Sequence, residues 1–224
     1  MSGIINGMSP SKLNMSILAN VPGPAVRPRK SEQTRTEILE AALDFLWTHP
    51  FRDLTVNELM SKTSAGRSAF YQYFGDLYDL IETLLRGLEV AIFDVATHWL
   101  HGEGDTLAQL NESLAGLVQV CYERGPILRA VSDAAVNDER LEREWKKFLT
   151  KFDDAVTVRI EDHQQKGLIA DFEARPVAKA LNRMDASLLI DAFGRRPRGG
   201  QQPVLDALTR IWISTLYSTE TRFD

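Results

Sequence analysis

The stretch Thr55-Val56-Asn57-Glu58-Leu59, then a turn of small residues at Thr63-Ser64-Ala65-Gly66, then Arg67-Ser68-Ala69-Phe70-Tyr71-Gln72-Tyr73-Phe74, decides the fold. Thr55 and Glu58 form a capping box, in which hydroxyl and carboxylate satisfy the orphan backbone donors at a helix start. The spacing predicts a short helix over 56–62, a tight turn, and a second short helix over 67–73. Two such helices crossed by a turn make a helix-turn-helix, which lays its second helix in the major groove of DNA. Leu59, Phe70 and Phe74 are expected to lock the pair from inside.

Upstream, a period near 3.6 puts Ile38, Leu39, Ala42, Leu43, Phe45 and Leu46 on one apolar face, predicting a helix from Ser31 that ends near Pro50. Thr34 and Glu37 have capping-box spacing. Before that, Val21-Pro22-Gly23-Pro24-Ala25-Val26-Arg27-Pro28 resists regular structure, and residues 1–29 read as a flexible arm. Met8 and Met15 fall within it as further candidate start codons.

Downstream, Asp76 caps a helix expected to reach Leu100, about 37 Å long at 1.5 Å per residue, suited to act as a lever. Gly102 and Gly104 stop it. Apolar-periodic segments separated by Gly and Pro predict further helices over 106–124, 126–135, 139–166, 176–193 and 203–218, with no strand and no repeat. The expected fold is all-α: an N-terminal three-helix DNA-binding domain over 30–75 and a C-terminal helical bundle over 76–224 for ligand binding and dimerisation. Gly194 to Gln202, with three arginines, is a polar loop between the last two helices.

The chain of 224 residues is long enough to bury a core without staples. Its formal net charge of -5 conceals an asymmetry. Residues 1–75 carry eight Lys or Arg against six Asp or Glu, whereas 76–224 carry eighteen against twenty-five, so the basic share lies with the helix-turn-helix. One cysteine, Cys121, excludes an internal disulfide and a thiolate metal site and suits a cytoplasmic location. No apolar run is long enough to cross a membrane, and no secretion signal opens the chain.

The run Thr55-Val56-x-x-Leu59 with Phe70-Tyr71-x-Tyr73-Phe74-x-Asp76 resembles the DNA-binding segment of the TetR family of repressors. The resemblance implies double-stranded operator DNA as partner. It points to Arg67 and Ser68 for base edges, and to Tyr71, Tyr73 and the helix start at Thr55 for phosphates, with Arg27, Arg29 and Lys30 adding phosphate contacts. Met60, Ser64 and Leu77 depart from the family pattern, which has a small residue, a turn glycine and a lysine there.

The C-terminal half is similar to the ethionamide-resistance repressor group within that family. The likeness lies in Glu144-Trp145-x-x-Phe148-x-x-x-Phe152, Ala180-Leu181-Asn182-x-Met184-Asp185, and Val204-Leu205-Asp206-x-Leu208-x-x-Ile211-Trp212-x-x-x-x-Tyr217. It implies a tunnel for a small apolar ligand lined by Trp145, Phe148, Phe152, Asn182, Asp185 and Trp212. The group has asparagine where Asp185 stands, so a buried carboxylate is expected to await a donor from the ligand. Val177, Leu181, Met184 and Leu188, with Val204, Leu208, Ile211 and Leu216, are expected to form the homodimer faces.

Enzymatic chemistry is not expected, and no cofactor is implied. Asp94, His98 and His101 share a helix face with ligand-like spacing, but an exposed helix end is the preferred reading of them; Cys121 reads as a small buried hydrophobe. Repression released by the ligand is the expected function. A helical scaffold or sensor of the same fold, without operator binding, is the alternative.

Overall fold

A computed structural model describes residues 30–217. The arm, including Arg27, Arg29 and the Lys30 side chain, lies outside the described residues. Eight α-helices follow one another, and no strand occurs among the described residues. They are α1 (Lys30–Leu46), α2 (Val56–Ser61), α3 (Arg67–Tyr73), α4 (Leu77–His101), α5 (Thr106–Ala135), α6 (Glu139–Gln165), α7 (Ala174–Phe193) and α8 (Gln201–Leu216). A 3-10 turn at Phe51–Asp53 joins α1 to α2.

The first three helices close on a small core of Ile38, Ala42, Phe45, Leu59, Phe70 and Phe74. Helix α1 starts four residues before Thr34, so Thr34 and Glu37 are helix-interior residues and not the expected cap. Helix α4 runs from this core into the bundle, its start capped by Asp76, which accepts from Asp79 N–H at 2.7 Å while Asp79 accepts from Gly75 N–H at 3.1 Å. Arg140, at the start of α6, braces the same turn through Asp76 and Glu82.

The expected break between 124 and 126 is absent: α5 runs through Pro126 for 30 residues. Proline removes the hydrogen bond to the carbonyl four residues back, here Tyr122, and that cost usually ends a helix. Arg198 Nη1 donates to the Tyr122 carbonyl at 2.7 Å and replaces the missing donor. One residue earlier, Gly125 lets α7 approach: a Cβ there would lie 2.4 Å from the Phe193 carbonyl oxygen. Just past the C-cap Lys166 of α6, Gly167 takes a φ of +67°, which favours glycine.

Half of the expected dimer faces are spent within the subunit. Leu181, Val204, Leu208 and Leu216 are buried in its own core, because α7 and α8 pack inward on α5. Val177, Met184 and Leu188 stay half-buried, and Ile211 is exposed.

Candidate nucleic-acid interface and ligand site

Thr55 caps α2 as the sequence predicts, its hydroxyl accepting from Glu58 N–H at 3.2 Å. Leu59 and Met60 are both buried, so Met60 serves as core where the family has a small residue. Ser64 explains itself through a contact 27 residues away: its backbone N–H and hydroxyl both donate to Glu37 Oε2, at 3.1 and 2.6 Å. These two bonds tie the turn of the helix-turn-helix to α1 and hold the Glu37 carboxyl below its ordinary range. Leu77 is half-buried at the head of α4.

Gly66 caps α3, and Arg67, Ser68 and Tyr71 then stand exposed along it, with Tyr71 54% accessible. Phe70 and Phe74 turn the opposite way into the core, their rings 5.5 Å apart. Tyr73 is half-buried against that core, so of the two tyrosines Tyr71 is the more open to a nucleic-acid backbone. Thr55 is exposed just before α2.

The six expected ligand residues fall into separate groups. Trp145 stacks on Phe148 at 5.4 Å, Phe148 meets Phe152 at 5.0 Å, and Phe152 stacks on Phe93 of α4 at 4.4 Å, giving an aromatic column from α6 to α4. Asn182 donates to Asp153 Oδ1 at 3.0 Å, on a carboxylate that also takes both Nη atoms of Arg183. It joins α7 to α6.

Asp185 and Trp212 meet in a second, buried centre. The indole Nε1–H of Trp212 donates to both Asp185 oxygens, at 3.0 and 3.2 Å. The carboxylate, expected to await a donor from a ligand, already has one from α8. Burial pushes its pKa up to about 7, against the smaller opposing effect of that hydrogen bond. Trp99 sets its edge on Trp212 at 5.4 Å and donates Nε1–H to Tyr217 Oη at 3.0 Å. Tyr217 lies 2.9 Å from His163 Nδ1. Since the tyrosine oxygen accepts from Trp99, its own proton is free to go to His163, which leaves the imidazole proton on Nε2.

Trp99 and His163 are residues that sequence reasoning missed, and Tyr217, which closes the third similar segment, was given no role there. The hydrogen-bond partner of His163, Tyr217, is 54 residues away. Burial above all lowers its pKa to about 4. A recess of about 250 Å³ adjoins it, lined by Gly102, Thr106, Arg159, His163, Lys166 and Leu168 among others.

Cys121 is fully buried, and burial raises its thiol pKa to about 12, the setting of a packed hydrophobe. Asp94, His98 and His101 are exposed, and no metal-binding group of three such side chains occurs among the described residues. No helix among them is long and apolar enough to cross a membrane.

Two family models account for most of this architecture. That of the bacterial regulatory proteins, tetR family, matches residues 38–84, and that of the transcriptional regulator EthR, C-terminal domain, matches residues 110–218. The chain belongs to the TetR family. This TetR-family protein is a DNA-binding transcriptional regulator, and its family and relatives are regulators, not enzymes. It is 26% identical over 186 residues to the HTH-type transcriptional regulator EthR of Mycobacterium tuberculosis, covering 80% of this chain and 85% of that one.

The fold of this TetR-family regulator is similar to a TetR-family regulator from Syntrophomonas wolfei. The TM-score is 0.72 at 16% identity, over 86% of this chain and 99% of that one. A transcriptional regulator from Saccharomonospora viridis, solved in complex with choline, matches with a TM-score of 0.65 at 16% identity, over 83% and 98%.

Proposed function

We propose that this regulator is a cytoplasmic homodimeric repressor, holding operator DNA through paired α3 helices and releasing it when a small, largely apolar ligand enters the C-terminal domain. Residues 30–75 are the DNA-binding domain and 76–224 the ligand-binding and dimerisation domain. The observation that carries the reading is the exposed row Arg67, Ser68 and Tyr71 on a helix whose other face is locked in core. Arg67 and Ser68 at the start of α3 read base edges, while Tyr71, Tyr73 and Thr55 contact phosphates.

The ligand site draws on Trp145, Phe148 and Phe152 in one group and on Asp185 and Trp212 in the other, together with Asn182, three residues before Asp185 on α7. Asp185 has room for roughly four donors when ionised and takes one N–H. An amine or hydroxyl on an otherwise apolar ligand supplies the next. The choline held by the Saccharomonospora viridis regulator supports a cationic head on this fold. Dimerisation uses what α7 and α8 leave uncovered, Ile211 with Met184 and Leu188, and sets the two α3 helices about 34 Å apart.

The test selects binding sites from a random duplex library with the full chain, then measures affinity by fluorescence anisotropy as salt is varied. A specific dimer gives a paired half-site and a steep negative slope of log affinity against log salt. A monomer in light scattering, with no site enriched, overturns the reading.

A further inference from the structure

Pro126 donates no N–H, so its presence in α5 frees the carbonyl of Tyr122. Arg198, from the loop between α7 and α8, fills that vacancy and is held by more than the hydrogen bond. Its guanidinium carbon lies 3.7 Å from the Tyr122 ring centroid and 5.0 Å from that of Trp47, and Arg196 lies 5.0 Å from the same Trp47 ring. Trp47 directly follows α1, the first helix of the DNA-reading unit, and is 5% exposed. A loop of the C-terminal bundle thus covers an indole of the N-terminal domain with two cations.

A third arginine completes the grip. Arg129 of α5 is buried, and its Nη2 donates to the carbonyls of Leu46 at 2.5 Å and His49 at 3.0 Å. The Leu46 oxygen ends α1, where the helix dipole favours a cation, and the His49 oxygen lies in the turn just beyond it. Gly194 makes room for it, since a Cβ there would sit 3.1 Å from Arg129 Cβ. The grip is not fully satisfied: Arg129 Nε is buried without a partner, and Arg195 stands close enough to oppose its charge while Asp133 supports it. A buried donor left unpaired costs free energy.

We propose that the arginine clamp of Arg129, Arg196 and Arg198 on the end of α1, centred on Trp47, sets the angle of the DNA-reading unit against the α7–α8 pair. Any shift of that pair then reorients α3. The proposal rests on the reading of α3 as the DNA-contacting helix and of α7–α8 as the subunit contact. It makes Trp47 a positioning residue, distant from DNA and ligand. Cation–π contacts on the buried Trp47 ring hold geometry through direction, which an apolar patch does not.

The clamp is tested without DNA or ligand. Nitroxide labels at Gln72→Cys on α3 and Lys147→Cys on α6, both exposed positions, report the distance between the two units. Diluting labelled chains in excess unlabelled chain restricts the signal to pairs within one chain, and Cys121 is buried and takes no label. The parent gives a narrow distance distribution. Trp47→Ala, and separately Arg196→Gln with Arg198→Gln, shift or clearly broaden it, while Trp47→Phe and the surface control Arg210→Gln retain the parent width. Unchanged distributions in folded variants overturn the clamp. Should Trp47→Ala fail to fold, Arg196→Gln alone, at an exposed side chain, decides the matter by the same readout.

A second readout uses the duplex selected by the parent chain. Inserting one base pair between half-sites weakens the parent by a large factor, and Trp47→Ala by a several-fold smaller one. An equal penalty in both argues against the clamp. Failure to select any duplex refutes the DNA-binding reading, and the distance measurement still judges the clamp.

Discussion

Trp212 gives its single indole proton to both oxygens of Asp185, at 3.0 and 3.2 Å, in a centre where both residues are buried. A carboxylate with one donor is under-solvated, which is why it holds its proton up to about pH 7. The same burial acts in reverse on His163, two aromatic contacts away through Trp99, and keeps it neutral down to about pH 4.

These two groups oppose each other in the pH dependence of stability. Folded Asp185 keeps its proton longer than the unfolded chain does, so its contribution falls as pH rises from 3.8 to about 7. Folded His163, among Arg159, Asp162 and Lys166, releases its proton sooner than the unfolded chain, so its contribution falls as pH drops from 6.5 to about 4. Between those limits the effects cancel in the parent. Asp185→Asn should stabilise by roughly 2–4 kcal/mol near pH 8 and expose a loss of Tm on acidification below 6.5. Thermal unfolding across pH checks both, and a variant profile parallel to the parent's would refute the assignment.

Glu37 and Ser64 fix the helix-turn-helix from outside its own sequence. Glu37→Gln weakens both bonds to Ser64 and should lower Tm at neutral pH. The difference should vanish as acid protonates the parent carboxylate, because a group whose pKa is lowered by folding stabilises only above its unfolded value. Circular dichroism melts at neutral and acid pH measure it. A difference that persists in acid would point to packing.

Gly125→Ala places a methyl 2.4 Å from the Phe193 carbonyl oxygen, which is backbone and has little freedom to yield. Overpacking of this kind costs about 1–3 kcal/mol. Denaturant unfolding should show a lower midpoint with the slope unchanged. An unaltered midpoint would mean that α5 and α7 separate more easily than their contact suggests.

On DNA, Arg67→Ala should cost about 1–3 kcal/mol and relax preference at one base position, whereas Tyr71→Phe should weaken all duplexes alike. Anisotropy on the selected site and its single-base variants separates the two patterns. Uniform weakening by Arg67→Ala would move that residue from base to phosphate.

The local elements were legible because their signals are local. Thr55 and Asp76 cap where hydroxyl or carboxylate meets the next turn, and Phe70 and Phe74 face inward at helical spacing. Thr34 and Glu37 carried the same cap signature and misled, since Glu37 belongs to Ser64 and α1 begins earlier. The hydrophobic period says which side of a helix is buried, but not whether its own subunit or a second one buries it, and Leu181 and Leu208 went to the former.

By itself the sequence determined the helical class, the two short helices either side of the 63–66 turn and the aromatic character of the C-terminal core, because hydrophobic period and capping act over a few residues. Only the tertiary structure decided that α5 survives Pro126, that Asp185 takes its donor from Trp212, and that three arginines seize the end of α1. Each depends on a hydrogen-bonding group finding a partner dozens of residues away, and which partner is within reach is a property of the packed chain.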